Sequence, residues 1–358
     1  MNANKKQLIA LETIKILKSR SDSFPDDTTI ARNAPFHKAF LRAFESKFEE
    51  LHTNSDVLLN VSSWIHGLNT TLGQSFFEGV AHILCDGDKK SFPGADYKLY
   101  AEQERVISEH MTDLKNGTIA PNTEQEDEML RESATGNLVV GTNFTADCFF
   151  EDEEKIVAIE LKSVRPNSGE TRGEKQKILK AKAALRHYYS TIPGCENKKV
   201  YYFFGFPFDP TADTDTGSNK ASFMGNMIEF SKFCAPEDIL LADELWSFLS
   251  GEPNTMAEIL GIIKDISEAT FADDFNFLCS AHSIQVDPGR YRTIVSKWHL
   301  CDEVEFVDHW CDIDAATQRD IIKYKNVSPF GEDGKYNEKR ANSLKDYLNR
   351  KSNSTHTN

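Results

Sequence analysis

Apolar positions in this chain recur first at helical spacing, then alternate at strand spacing near the middle, then return to helical spacing. At the start, Leu8, Leu11 and Ile14 to Leu17 predict an amphipathic helix. Asn33 and Pro35 are start signals for a helix carrying Phe36, Phe40, Phe44, Phe48 and Leu51. That aromatic stripe reads as a core face, not a stacking platform. Another helix is predicted over Asp56 to His66, ended by Gly67. On Leu72 to Leu84, Phe76, Val80 and Ile83 line one face, while Gln74, Glu78 and His82 align on another. Turn residues dominate Cys85 to Gly94, Tyr97 to Leu114 predicts a helix, and Asn116 to Asp127 reads as a polar loop.

The period changes after a brief β-like run at Asn137 to Gly141. Asn143 to Ser163 reads NFTADCFFEDEEKIVAIELKS, two apolar runs joined by Glu151-Asp152-Glu153-Glu154. So short a polar link between two β-capable runs predicts a hairpin. Arg165 to Gly173, rich in Pro, Asn, Ser and Gly, predicts a loop leading into a helix from Glu174 to Tyr189. On that helix Ile178, Ala181, Leu185 and Tyr188 make an apolar face suited to packing on a sheet. Lys199 to Pro207, KVYYFFGFP, is the strongest strand signal, nearly unbroken as a buried central strand requires. Asp209 to Lys220 is turn-rich. Pro236 to Leu249 and Thr255 to Ser267 predict helices, with Trp246 and Phe248 buried, and no strong signal follows Ala281. Strand, strand, helix, strand is the order of an α/β (α+β) mixed sheet flanked by helices, with largely helical N- and C-terminal portions. The predicted division is a helical part packed on the core over 1–132, the core over 133–235, a mostly helical part over 236–345 and a disordered tail over 346–358.

The hairpin carries the candidate chemistry. If Phe150 pairs with Lys155, Asp147 lies opposite Ala158, and alternation puts Ala158, Glu160 and Lys162 on its face. Ile159 and Leu161 then point into an apolar layer. Two carboxylates and an ammonium converge on one patch. Adjacent carboxylates repel, and a hard divalent cation such as magnesium relieves that repulsion with oxygen ligands. Such an ion lowers the pKa of a bound water and stabilises charge on a phosphoryl oxygen. A neighbouring Lys orients or deprotonates the water and offsets the developing charge. Phosphodiester hydrolysis needs this set. The alternative is that Glu160 and Lys162 form a solvated strand face, since an Asp followed later by E-x-K arises often by chance.

Asp147 with Glu160-Leu161-Lys162 resembles the PD-(D/E)XK nuclease signature. The following run, RPNSGETRGEKQKILKAKAAL from Arg165 to Leu185, is similar to the segment after the catalytic strand in TdeIII-like type II restriction endonucleases. The likeness is clearest from Asn143 to Phe206. The Pro that precedes the Asp in the signature is Ala146 here. The resemblance implies a restriction-endonuclease-like mixed sheet and a magnesium-dependent nuclease. In it Asp147 and Glu160 hold metal and Lys162 positions the attacking water. In that superfamily a helix before the hairpin often lends an acid to the metal, which makes Glu78 a candidate third ligand. Arg165, Arg172 and Lys175 are candidates for phosphate or base contacts, because guanidinium forks suit phosphate oxygens and guanine edges. Gln176 is a candidate for the DNA backbone or the metal-bound water. The implied activity is cleavage of double-stranded DNA at a short palindrome of the GGNCC kind by a homodimer, leaving 5′-phosphates.

A formal charge of −15 bears against nucleic-acid binding. Between Leu161 and Ser190, however, stand Lys162, Arg165, Arg172, Lys175, Lys177, Lys180, Lys182 and Arg186, opposed only by Glu170 and Glu174. DNA meets a local patch, and acids concentrate elsewhere, in Glu124 to Glu132 and the hairpin link. Asp209 to Lys220 is a segment that can order on DNA. Seven cysteines without a short repeated spacing predict reduced thiols and a cytoplasmic home. No apolar run reaches membrane-spanning length, and the Lys-interrupted start is not a signal peptide.

Other chemistries are less well served. No Walker loop, dinucleotide fingerprint or G-x-S-x-G elbow occurs, so a nucleotide cofactor and serine hydrolysis are not expected. His299, Cys301, His309 and Cys311 form a doubled H-x-C pattern that two strands would gather into a zinc site, though the C-x-x-C knuckle is missing. Two rivals stay open within the fold: a nuclease for repair or modified DNA, and a non-catalytic DNA-binding protein.

Overall fold

The computed structural model describes residues 1–24, 55–162, 168–227, 229–280, 282–310 and 327–355. The predicted Phe36 to Leu51 stripe, Arg165 and Cys311 lie outside these. The chain divides into two compact units, one holding Met1 and Phe77–Glu258, the other Asn2–Phe76 and Ile259–Asn358.

In chain order the elements begin with α1 (Ala3–Asp22) and α2 (Ser55–Thr71), followed by a π-helical turn over Leu72–Phe76. Next come α3 (Phe77–Cys85), β1 (Asp88–Phe92), β2 (Leu99–Tyr100), α4 (Ala101–Asn116) and α5 (Thr123–Glu132). Then follow β3 (Leu138–Val139), β4 (Phe144–Glu151), β5 (Lys155–Leu161), α6 (Ser168–Ser190), β6 (Lys199–Phe206) and β7 (Ile239–Leu241). The main later helices are α7 (Asp243–Ser250), α8 (Thr255–Ile266), α9 (Phe271–Cys279), α10 (Pro288–Lys297), α11 (Cys301–Trp310) and α12 (Glu338–Thr355).

The first unit is the mixed α/β sheet flanked by helices. Its order is β1-β4-β5-β6-β7, with β1, β4 and β5 antiparallel and β5, β6 and β7 parallel. Ile156 to Glu160 of β5 are all buried, as befits a central strand covered on both faces. α6 provides the crossover that a parallel β5–β6 pair requires, and it buries Ile178, Ala181 and Leu185 as the apolar periodicity predicts. Gly205 lies opposite Leu161 across that pair. A Cβ there would stand 2.8 Å from Ile159 Cγ2 and 2.9 Å from Leu161 Cδ2, so only Gly lets β5 and β6 keep these side chains. The Gly205 carbonyl in turn accepts from Lys162 N–H at 2.9 Å, which fixes the chain just past β5.

Several boundaries differ from the sequence reading for identifiable reasons. Gly67 does not end α2, which continues to Thr71. A π turn over Leu72–Phe76 interrupts the α-helical spacing read over Leu72 to Leu84. The polar DKKSF segment is an edge strand, β1, and Asn122 caps a helix, α5, inside the supposed loop. α6 begins at Ser168, so the predicted loop is helical from there on. Ile239–Leu241 pairs as β7 instead of continuing a helix, while Trp246 is buried and Phe248 only half-buried. Residues 346–355, predicted as a disordered tail, continue α12.

The second unit packs Ile9, Ala10 and Ile14 of α1 among its buried residues, and Phe271 stacks on Trp298 with centroids 5.4 Å apart. Its buried Glu303 accepts from the hydroxyls of Tyr291 and Tyr336, each at 2.6 Å, and pairs with Arg340 at 2.5 Å. Among the described residues no helix is long and apolar enough to cross a membrane, and the six cysteines are free thiols.

Candidate active site

The site is built where β4 and β5 run side by side. β4 and β5 are joined by Asp152-Glu153-Glu154, and the Asp152 carboxylate accepts from the N–H groups of Glu154 and Lys155, both at 2.9 Å. This tight turn brings Glu151 into the ladder, so Phe150 pairs with Val157 and Cys148 with Ile159. The register is two residues away from the Phe150–Lys155 pairing that the sequence suggests. A slip of two leaves every side chain on its face, whereas a slip of one would reverse it. Asp147 therefore still shares a face with Glu160, now directly opposite it by extension of the ladder.

Asp147 is held from three sides. Its Oδ2 accepts from Leu161 N–H at 3.0 Å, its Oδ1 from Lys89 Nζ at 3.1 Å, and its backbone carbonyl from His82 Nε2 at 2.7 Å. Since a carbonyl only accepts, that His82 nitrogen carries the proton. Lys89 also reaches Glu78 Oε1 at 3.0 Å and Oε2 at 3.2 Å, so Glu78 and Asp147 share one ammonium. Burial pulls the Lys89 pKa down, but Glu78 and Asp147 outweigh it and the net shift is upward.

Glu160 is treated likewise. Its Oε1 lies 3.1 Å from Lys162 Nζ and its Oε2 accepts from Lys177 Nζ at 2.9 Å. Lys177 also pairs with Glu174 at 2.5 Å, and Glu174 with Lys162 at 3.4 Å, which closes a ring of two carboxylates and two ammoniums. Burial lowers the Lys162 pKa, yet Glu160, Glu174 and Glu170 raise it by more, so the ammonium keeps its proton. Burial, then Glu160, Asp147 and Glu174, push the Tyr202 phenol up, which marks how closely these acids surround it.

The structure thus brings Asp147, Glu160 and Lys162 to one patch and joins Glu78 to it through Lys89. Among the described residues no three His, Cys, Asp or Glu side chains stand together as a finished ligand cluster. The carboxylates carry the hard oxygen donors that suit magnesium, but each is engaged by lysine. Lys89, His82, Glu174 and Lys177 were not singled out as site residues from sequence. The traces in the sequence were His82 aligned with Glu78 on a predicted helix, and Glu174 and Lys177 as an oppositely charged pair three apart on another, neither of which points to the site.

The residues assigned to DNA fare differently. Lys175 is 1% exposed and pairs with Glu126 and Asp238, each at 2.6 Å, so its ammonium has no surface on which to meet DNA. Arg172 is half-buried with an Nε that lacks a hydrogen-bond partner, and Gln176 is half-buried on α6. The basic run is largely spent within the fold. Lys180 pairs with Glu104, while Lys182 and Arg186 both pair with Asp127 of the acidic Glu124 to Glu132 stretch. Basic and acidic segments separated in sequence are partners in space.

Of the doubled H-x-C pattern, Cys301 and His309 lie on one helix, α11, and His299 in the turn before it, not on two strands. Cys301 and His309 stand eight residues apart along α11, about 12 Å of rise, too far to share one ion. His299 Nε2 is 2.8 Å from Asp265, and His309 Nδ1 donates to Glu305 O at 2.9 Å.

Comparison with known proteins adds an independent line. Residues 1–267 match the family model described as type II restriction endonuclease, HinfI. The type II restriction enzyme MjaII of Methanocaldococcus jannaschii is 42% identical over 373 residues, with 98% of each chain covered. No solved structure matches.

Proposed function

The chain belongs to the HinfI family of type II restriction endonucleases, and from that premise we propose that Asp147, Glu160 and Lys162 form the centre at which it cuts double-stranded DNA. The family named by the match is HinfI, whereas the motifs resemble TdeIII-like enzymes, and both lie within type II restriction. The proposal assigns the chain to the PD-(D/E)XK superfamily. The observation that carries it is one face of one sheet presenting Asp147, Glu160 and a Lys162 that keeps its charge.

Asp147 and Glu160, with Glu78 as a third donor, would hold magnesium, which when bound supplies an activated water and stabilises charge on the phosphate. Lys162 orients that water and donates to the developing negative charge. With no metal present, Glu160, Glu174 and Glu170 hold the proton on it, which favours the role of donor. Leu161 N–H and His82 keep Asp147 turned toward the site. Arg165, Arg172 and Gln176 are proposed DNA contacts, and Lys175 is not among them. Cuts in both strands of a palindrome would follow from a two-fold homodimer whose symmetry mirrors the DNA's, and the GGNCC kind of target and 5′-phosphate ends belong to this proposal.

The test is a plasmid digest with magnesium or with EDTA. Discrete fragments with magnesium, none with EDTA, and none from Asp147→Asn or Glu160→Gln support the reading. Full cutting by Asp147→Asn refutes it, and the sequenced fragment ends decide whether the target is of the GGNCC kind.

A further inference from the structure

The position of Lys89 is built into the sheet. The β1–β4 register breaks between Asp88 and Lys90: Asp88 pairs with Phe149 but Lys90 with Ala146. Two residues of β4, Asp147 and Cys148, consequently face the single residue Lys89. A bulge of this kind re-aims a side chain, and here it coincides with the acid of the site. The resulting ammonium touches three oxygens, two on Glu78 and one on Asp147, from elements separated by 11 and 58 residues of chain.

One positive charge between two negative ones is a seated cation. Its side chain is 49% exposed, while the Glu78 and Asp147 side chains are 19% and 18% exposed. The acids are sheltered, and the ammonium that pairs with them is half in water. Leaving them costs Lys89 little, since its head rehydrates while the stem stays on the sheet. A divalent ion brings twice the charge to the same oxygens. Lys175 offers the contrast: fully enclosed between its two acids, it has no such exit.

We propose that Lys89 is an exchangeable internal cation that holds Glu78 and Asp147 together and must leave before a divalent metal takes them, so that it sets the metal concentration at which the enzyme becomes active. This rests on the reading of Asp147 as a metal ligand. Lys89 is a positioning residue and touches no reacting atom. Its removal should favour metal binding, the reverse of what loss of a ligand does.

Calorimetric titration of the full chain with Ca2+, without DNA, separates the possibilities. Lys89→Gln is expected to bind Ca2+ about threefold to tenfold more tightly than the unchanged protein, the span that one or two half-exposed ion pairs allow. Lys89→Arg, which retains the cation, should bind as the unchanged protein does. Asp147→Asn should lose the binding. The magnesium concentration for half-maximal cleavage should fall in Lys89→Gln by the same factor. Unchanged or weaker Ca2+ binding by Lys89→Gln, with Asp147→Asn still defective, overturns the role of Lys89 and leaves the metal site standing. Binding that survives in Asp147→Asn overturns the metal site itself.

Discussion

Lys162 sits among Glu160, Glu170 and Glu174, at 3.1, 3.6 and 3.4 Å. Its folded pKa lies above the ordinary 10.5, so the stabilisation from its charge is complete below that value and fades only as pH rises through the higher folded one. A residue that stays protonated across the working range acts as a donor, and loss of one preorganised donor costs about 100- to 1000-fold. Lys162→Ala should therefore lower single-turnover cleavage by about that factor. The ratio of unchanged to variant rates should be flat from pH 7 to 9.5. A ratio that climbs or falls through this window would show Lys162 titrating there and acting as base.

Among the elements, α6 does more than bridge two parallel strands. Its Lys175 reaches Glu126 on α5 and Asp238 in the turn before β7, and Asp238 also accepts from Thr123 Oγ1 at 3.1 Å and Ala235 N–H at 2.9 Å. Three segments distant in sequence are clamped by one buried ammonium. Removing it leaves two buried carboxylates facing each other, a loss of about 3–5 kcal/mol. Lys175→Met should lower the denaturation midpoint accordingly, and a change near zero in a chemical melt would show that the clamp contributes little. The same elements explain what was readable. The β4–β5 hairpin was legible because period-two alternation fixes faces, and an even slip in register preserved Asp147 beside Glu160. β1 was hidden because DKKSF buries only Phe92, an edge strand with no apolar rhythm to detect. Lys177 and Glu174 were invisible as site residues because their contact with Glu160 and Lys162 depends on where α6 lies across the sheet, which no local pattern encodes. Lys175 misled for the same reason: a Lys in a basic run looks solvated until its partners fold onto it.

At the scale of the molecule, the charge of −15 regains its force once the α6 cations are seen to be spent on Glu104, Glu126, Asp127, Glu160 and Glu174. A phosphate approaching the site meets carboxylates whose neutralising lysines belong to the protein already. At this site, affinity for DNA beyond the proposed Arg165 and Arg172 contacts then gains from cations supplied with the substrate, since phosphate neutralisation dominates such binding. Divalent metal would serve twice, as the proposed participant in cleavage and as the charge that admits DNA. Fluorescence anisotropy with a short duplex carrying the target should show at least tenfold tighter binding in Ca2+ than in EDTA at equal ionic strength. In Asp147→Asn that gain should shrink, because the ion loses an oxygen ligand. Equal affinity in Ca2+ and EDTA would mean that a basic surface remote from β4 and β5 carries the DNA, and that the acids at the site do not control its entry.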